Sequence, residues 1–104
     1  MAYSNPLTGH PDAAQLRKEA GAYLKRLRED ASLTQAELAK AVGLEYYTFV
    51  SQVENGKTRI PPEKYAAWSK AVGTTPHQFA KRLLRFYDPY TWDALFGKSS
   101  GGEE

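Results

Sequence analysis

Residues 34–56 read TQAELAKAVGLEYYTFVSQVENG, and this stretch decides the fold. Its first four residues, Thr34 to Glu37, have the spacing of a capping box, in which a hydroxyl and a carboxylate satisfy the first backbone N–H groups of a helix. Gly43 and Gly56 indicate helix ends, because glycine adopts positive φ without steric cost. The stretch therefore predicts two short helices, one over Thr34–Val42 and one from Tyr46 or Tyr47 to Asn55.

The second of these helices has two different faces. Val50 and Val53, with Tyr46 and Phe49 at their margin, are predicted to be buried. The opposite face is polar and uncharged. The alternative interpretation is an ordinary solvated helix face, but such faces usually carry Lys and Glu. Hydroxyls and amides can read base edges in the DNA major groove, so the pattern predicts a helix-turn-helix. The residues of this face are Tyr47, Thr48, Ser51, Gln52 and Asn55.

The rest of the chain shows helical periodicity and almost no strand signal. Apolar residues recur every three or four positions, and Thr75 to Gln78 has the spacing of a second capping box. Further helices are predicted over Pro11–Asp30, Pro62–Val72, Pro76–Tyr87 and Pro89–Phe96. We therefore predict an all-α, compact five-helix domain over residues 11–87, with a short extra C-terminal helix over 88–96. Residues 1–10 are predicted to be a flexible arm, and residues 97–104 a disordered acidic tail.

The charge of the chain is unevenly distributed. The net charge is +2, but residues 1–87 hold 13 of the 14 Lys and Arg and 8 of the 12 Asp and Glu, a balance of +5. Residues 88–104 carry −3. A basic body is typical of proteins with a polyanionic partner, although ordinary solvated lysines are the alternative. The absence of a long apolar run or signal-peptide pattern predicts a cytoplasmic protein without a membrane span.

Several chemistries are excluded by residue type. The chain has no cysteine, which excludes disulfides, thiolate catalysis and Cys-based metal sites. His10 and His77 have no partner at ligand spacing, so no metal and no cofactor are expected. The GKT sequence at Gly56 follows a helix and has Ser51 where a phosphate-binding loop needs glycine. Since no catalytic constellation is visible either, we expect a protein that is not an enzyme.

Three separated segments resemble a known family. They are LKRLREDASLTQAELAKAVGL at 24–44, SQVENGKTR at 51–59 and AVGTTPHQF at 71–79. In this order they are similar to the phage-repressor and Cro-type helix-turn-helix proteins, the lambda-repressor-like XRE family. The resemblance implies a five-helix domain, usually dimeric, that binds operator DNA and regulates transcription, most often as a bacterial or phage repressor.

The resemblance also implies roles for single residues. Base reading falls on Tyr47, Thr48, Ser51 and Gln52, and phosphate contacts fall on Gln35, Tyr46, Asn55, Lys57, Thr58 and Arg59. Arg28 and Glu54 match an internal salt bridge. The segment from Gly43 to Glu54 is one residue longer than usual in the family. Tyr46 and Tyr47 could therefore exchange roles, one in the core and the other at the DNA.

The C-terminal aromatics have two interpretations. They either cap a small core or form a dimer interface, and we expect the dimer, with Phe86, Tyr90, Trp92 and Phe96 at the interface. Lys81, Arg82 and Arg85 are predicted to form a solvated face, with a secondary phosphate contact as the alternative. The main functional hypothesis is a homodimeric regulator on a palindromic operator. The alternatives are an antitoxin-like protein that binds a partner through this aromatic segment, and a DNA-targeting subunit of an enzyme.

Overall fold

The computed structural model describes residues 12–97, which contain helices and no strand. This confirms the all-α fold class. Residues 1–11 and 98–104 are not described. The predictions of a flexible arm, of a helix start at Pro11, of a disordered tail and of no metal at His10 therefore lie outside the described residues. The helices are α1 (Ala13–Asp30), α2 (Gln35–Ala41), α3 (Thr48–Glu54), α4 (Tyr65–Ala71), α5 (Pro76–Tyr87) and α6 (Pro89–Phe96), with a 3-10 turn (Pro62–Lys64) before α4.

Four of the described helices, α1, α2, α5 and α6, begin at side-chain caps. Asp12 caps α1 by accepting the Gln15 N–H at 2.9 Å, so within the described residues this helix begins at Ala13. The capping box of α2 is complete: Glu37 N–H donates to the Thr34 hydroxyl at 3.0 Å, and Thr34 N–H donates to the Glu37 carboxylate at 2.8 Å.

The second capping box, predicted at the start of α5, is only half formed. The Thr75 hydroxyl accepts the backbone N–H of Gln78 at 3.1 Å, as expected. The side-chain carbonyl of Gln78, however, accepts a hydrogen bond from the Thr74 hydroxyl at 3.3 Å, so it makes no reciprocal bond to Thr75. A competing hydroxyl one residue earlier therefore replaces the second bond of the box.

Four helices end with the same pair of backbone hydrogen bonds. After α2, Gly43 N–H donates to the Lys40 carbonyl and Leu44 N–H to the Ala39 carbonyl, which is a Schellman motif with Gly43 at positive φ. Gly56 and Gly73 end α3 and α4 in the same way. The end of α1 has Ser32 in the left-handed position, at φ 61°, a conformation that the sequence did not indicate.

A single hydrophobic core joins α1 to α5. Trp68 of α4 and Phe79 of α5 are its largest fully buried side chains. Val50 and Val53 are fully buried, as predicted for the inner face of α3. The remaining members are Ala20, Leu24, Leu38, Ala39, Val42, Ile60, Val72 and Leu83. Because α3 contributes only two fully buried side chains, its placement depends on its neighbours as well as on this core.

The closest helix contact is between the backbones of α1 and α3. A Cβ atom on Gly21 of α1 would overlap the carbonyl oxygen of Glu54, at the end of α3. One turn earlier in α1, Lys18 lies against Gly56, where an added Cβ would be 2.8 Å from the Lys18 Cα. Arg17 also donates from Nε to the Gly56 carbonyl at 3.1 Å. Glycine at position 21 thus allows α1 to fix the C-terminal end of α3.

We predict that Gly21→Ala destabilises the protein, although alanine is the better helix former by about 1 kcal/mol. The added methyl group must displace the α3 backbone, and overpacking of this kind costs about 1–3 kcal/mol. Urea unfolding followed by circular dichroism measures the change. The control is Ala22→Gly, at the next, exposed position, which tests helix propensity without the contact. A Gly21→Ala variant at least as stable as the wild type would contradict the prediction.

Candidate nucleic-acid interface

A buried carboxylate joins the three helices that carry the helix-turn-helix. Glu54 of α3 receives two hydrogen bonds from Arg28 of α1, from Nε at 2.7 Å and from Nη2 at 3.0 Å. Gln35 of α2 donates from Nε2 to the same carboxylate at 3.0 Å. Arg28 also donates from Nη1 to the Leu33 carbonyl at 2.8 Å. The hydrogen bond to Glu54 raises the pKa of Arg28 above its ordinary value, so the ion pair is strongly maintained.

The recognition helix α3 presents its polar face outward. Thr48 and Gln52 are exposed, and Ser51 is half-buried. The Asn55 amide donates to the Ser51 hydroxyl at 3.4 Å, one turn apart on the same face. Since Val50 and Val53 are buried on the other side, the helix cannot rotate without exposing them. The uncharged hydrogen-bonding face is therefore held toward solvent.

Tyr46 and Tyr47 lie in the turn between α2 and α3, and neither enters the core. Tyr46 is 66% exposed and Tyr47 is 53% exposed. The predictions that Tyr46 lies at the margin of the buried face, and that one of the two rings enters the core, are both wrong. The helix begins only at Thr48, with Tyr47 as its N-cap residue. The extra residue lengthens the turn, so both rings project from the start of the recognition helix.

The loop after α3 is anchored at its far end. Ile60 is buried, and its N–H donates to the Tyr87 hydroxyl at 3.3 Å. Burial raises the pKa of Tyr87 to about 12 against the opposing effect of this N–H, so the phenol stays neutral at physiological pH. The Arg59 guanidinium lies 4.7 Å from the centroid of the Tyr87 ring. Thr58 is half-buried, whereas Lys57 and Arg59 are both exposed, so the loop carries two exposed cations, one of them over a ring.

Arg17 is a residue of this region that the sequence did not indicate as part of the site. Its Nε bond to the Gly56 carbonyl places a third cation beside the loop that holds Lys57 and Arg59. No local signal could have found it, because its loop partner is 39 residues away in the chain.

The residues predicted for a dimer interface lie in different environments. Phe86 is half-buried, with its ring centroid 5.9 Å from that of Tyr23. Trp92 is half-buried, with its ring centroid 5.7 Å from that of Phe96. Tyr90 and Phe96 are exposed, and so is Leu95, which is 64% exposed and was not predicted. Leu95 and Phe96 therefore leave exposed apolar area on α6, whereas Tyr90 lies roughly 120–140° away from them around the helix.

The described residues show few other features that could carry chemistry. Between residues 12 and 97, no three His, Asp or Glu side chains come together as a metal site would require. His77 is exposed in the first turn of α5, where the sequence placed it. None of the helices in this range is both long enough and apolar enough to cross a membrane.

We predict that Glu54→Gln destabilises the protein by about 3–5 kcal/mol, because it leaves Arg28 buried without its counter-charge. Chemical denaturation measures the loss. The matched control is Glu63→Gln, which removes the same charge from an exposed position before α4 and should change stability by less than about 0.5 kcal/mol. Equal effects of the two substitutions would show that the buried pair does not hold the three helices together.

The comparison with known proteins agrees with this geometry. The model of a helix-turn-helix domain family matches residues 19–87, which include α2 to α5 and most of α1. Among curated proteins, none matches the chain. The match covers more than half of the chain and is consistent with the resemblance to phage-repressor and Cro-type proteins. The chain therefore belongs to the helix-turn-helix domain family.

Proposed function

We propose that this protein is a sequence-specific, double-stranded DNA-binding regulator of transcription. The observation that carries the proposal is the outward, uncharged polar face of α3, held by the buried Arg28–Glu54–Gln35 network. Sequence reading in the major groove requires hydrogen-bonding side chains at a fixed distance from the bases. A helix braced on two neighbouring helices meets this requirement. We infer no catalytic role.

The base-reading residues in this proposal are those on the exposed side and at the start of α3. They are Tyr47, Thr48, Ser51 and Gln52. Gln52 is exposed and carries an amide, which can form two hydrogen bonds with an adenine edge. Thr48 and Ser51 supply hydroxyls, which can contact several bases. The exposed rings of Tyr47 and Tyr46 suit a thymine methyl group or a phosphate better than a two-bond base contact.

The phosphate-contacting residues lie on either side of α3. They are Gln35, Tyr46, Asn55, Lys57, Thr58 and Arg59. Gln35 has two amide N–H groups, of which Glu54 takes one, so the other can donate to a phosphate oxygen. Arg59 is stacked on Tyr87, which limits its motion and leaves its edge donors available. To this set we add Arg17, because it is bonded to the same loop.

A homodimer on a palindromic operator completes the proposal. One recognition helix reads only a few base pairs, and two-fold dimers read half-sites about 34 Å apart. The exposed Leu95 and Phe96 of α6, beside Trp92, offer an apolar surface suited to a second copy, and Tyr90 adds exposed area on another side of the helix. Phe86 contributes less, because it already packs on Tyr23. Occupation of an operator by such a dimer would repress transcription by excluding other proteins.

The same apolar surface of α6 supports a second candidate function. An antitoxin-like protein would regulate through its helix-turn-helix and bind another protein with Tyr90, Leu95 and Phe96. The two candidates differ in what covers α6: a second copy of this chain or a different protein. The oligomeric state of the purified protein discriminates between them.

We predict that Gln52→Ala and Lys57→Ala weaken DNA binding in different ways. Loss of the Gln52 amide should cost about 1–3 kcal/mol and relax preference at one base position. Loss of the Lys57 charge should weaken binding to all sequences alike and reduce the slope of log affinity against log salt by about 1. Fluorescence anisotropy at several salt concentrations measures both. If Gln52→Ala weakened all sequences equally, α3 would not be the reading element.

We predict that selection from randomised DNA recovers a palindromic site, and that the complex contains two chains. Leu95→Glu should give a folded monomer that binds the palindrome at least about tenfold more weakly, because it charges the proposed interface. Light scattering and a mobility-shift titration measure the two effects, with Ala22→Glu on the exposed side of α1 as control.

Salt-dependent binding without sequence preference would contradict the proposal of a sequence-specific regulator. A stable wild-type monomer that retains a second protein through α6 would favour the antitoxin-like candidate.

A further inference from the structure

Three cations of α5 are each positioned on an aromatic ring. Arg82 lies 5.1 Å from the ring centroid of Tyr23 in α1, and Arg85 lies 4.9 Å from that of Trp92 in α6. Lys81 lies 4.5 Å from the ring centroid of Phe96. The sequence predicted an ordinary solvated face for these residues. All three residues are exposed, as the sequence predicted, and the structure in addition gives each cation an aromatic neighbour, contributed by two different helices.

These cations are held in place without being neutralised. Within residues 12–97, the ion pair of the protein is Arg28–Glu54, and Lys81, Arg82 and Arg85 form none with an acidic side chain. A guanidinium stacked on a ring interacts through its flat face, so the N–H donors along its edge stay available. Because the ring already restricts the side chain, less conformational entropy is lost when an anion binds.

The three cations line a cavity of about 440 Å³ between α1, α5 and α6. The other lining groups are the Thr74 hydroxyl, the Gln78 amide and the rings of Tyr23 and Trp92. Among the residues that the structure describes, no acidic side chain lines this cavity. A neighbouring cavity of about 380 Å³ shares Arg82, Arg85 and Trp92 but includes Glu19 and Asp93. The first cavity therefore favours an anion, whereas the second has mixed charge.

The chemistry of this cavity indicates its ligand. Three positive charges within one turn of helix are not matched by a single carboxylate. A diphosphate group carries several negative oxygens on two adjacent centres, and arginine pairs bidentately with phosphate. The volume lies in the range of small-molecule sites. The Gln78 amide N–H groups can add neutral hydrogen bonds, whereas the Thr74 hydroxyl already donates to the Gln78 side-chain carbonyl.

We propose that the cavity lined by Lys81, Arg82 and Arg85 is a binding site for a small ligand with a diphosphate group. The ligand is either free pyrophosphate or the diphosphate part of a nucleotide. The cavity includes no residue of α2, α3 or the loop at 55–59, so this site is separate from the proposed DNA surface. Its existence does not depend on DNA binding, and it can be tested in the absence of DNA.

Isothermal titration of the full chain with inorganic pyrophosphate at low ionic strength tests the proposal. The wild type should bind one pyrophosphate per chain, and the double variant Arg82→Gln/Arg85→Gln should bind at least about tenfold more weakly, because each substitution removes charge-assisted hydrogen bonds. The matched control, Lys25→Gln/Arg26→Gln, removes the same charge from exposed positions of α1 and should retain the wild-type affinity. A parallel titration with ADP distinguishes the two sources of the diphosphate group. If ADP binds more tightly than pyrophosphate, the ligand is a nucleotide. If ADP binds equally or more weakly, the ligand is the free diphosphate.

Two further measurements guard against a folding artefact. Circular dichroism establishes that each variant is folded, and Lys81→Gln, which leaves both arginines in place, should weaken binding severalfold on its own. Gln52→Ala, in the DNA surface, should leave pyrophosphate binding unchanged. Three outcomes would overturn the site: no binding of pyrophosphate or ADP by the wild type at millimolar concentration, equal weakening by the α1 control, or binding of an acidic peptide such as tetraglutamate without binding of pyrophosphate. None of them would affect the proposed DNA-binding function.

Discussion

The position of the recognition helix depends on one buried carboxylate. Glu54 lies at the last position of α3 and receives hydrogen bonds from Arg28 of α1 and Gln35 of α2. Removing a charge from water is expensive, and only a complete set of partners compensates for it. The geometry of these three helices is therefore strongly coupled. Gly21 adds a steric limit at the same point, because α1 can approach the Glu54 backbone only where it has no side chain.

Aromatic rings organise much of the positive charge outside this junction. Arg59 lies on Tyr87, beside the loop that follows α3, whereas Arg82 and Arg85 lie on Tyr23 and Trp92. In both places the ring restrains the cation without neutralising it. The cations that lie over rings thus fall on two surfaces, one beside α3 and one between α1, α5 and α6. The exposed face of α3 itself carries no charged residue, so in the proposed function attraction of a polyanion and reading of its sequence belong to different side chains.

Local patterns predicted the helices well and the surroundings of single side chains less well. The capping box at Thr34 and the glycine after each of three helices are local, since their hydrogen bonds span a few residues. The predicted burial of Tyr46 or Tyr47 is wrong, because an added residue can either shift a helix or lengthen a turn. Only the packing of the neighbouring helix decides which of the two occurs. No local pattern indicated Arg17 or Leu95 either. The loop that Arg17 bonds and the exposed position of Leu95 are both properties of the assembled fold.

The sequence by itself determined the helical class, the start of α2 at its capping box, the helix-turn-helix and the buried side of α3. These features depend on backbone hydrogen bonds and side-chain periodicity within a few residues. Tertiary structure alone decided that both turn tyrosines face outward, that Arg17 joins the loop, and that the cations of α5 lie on rings from α1 and α6. Those contacts connect residues far apart in the chain, or depend on the volume left between packed helices, and no local pattern specifies either.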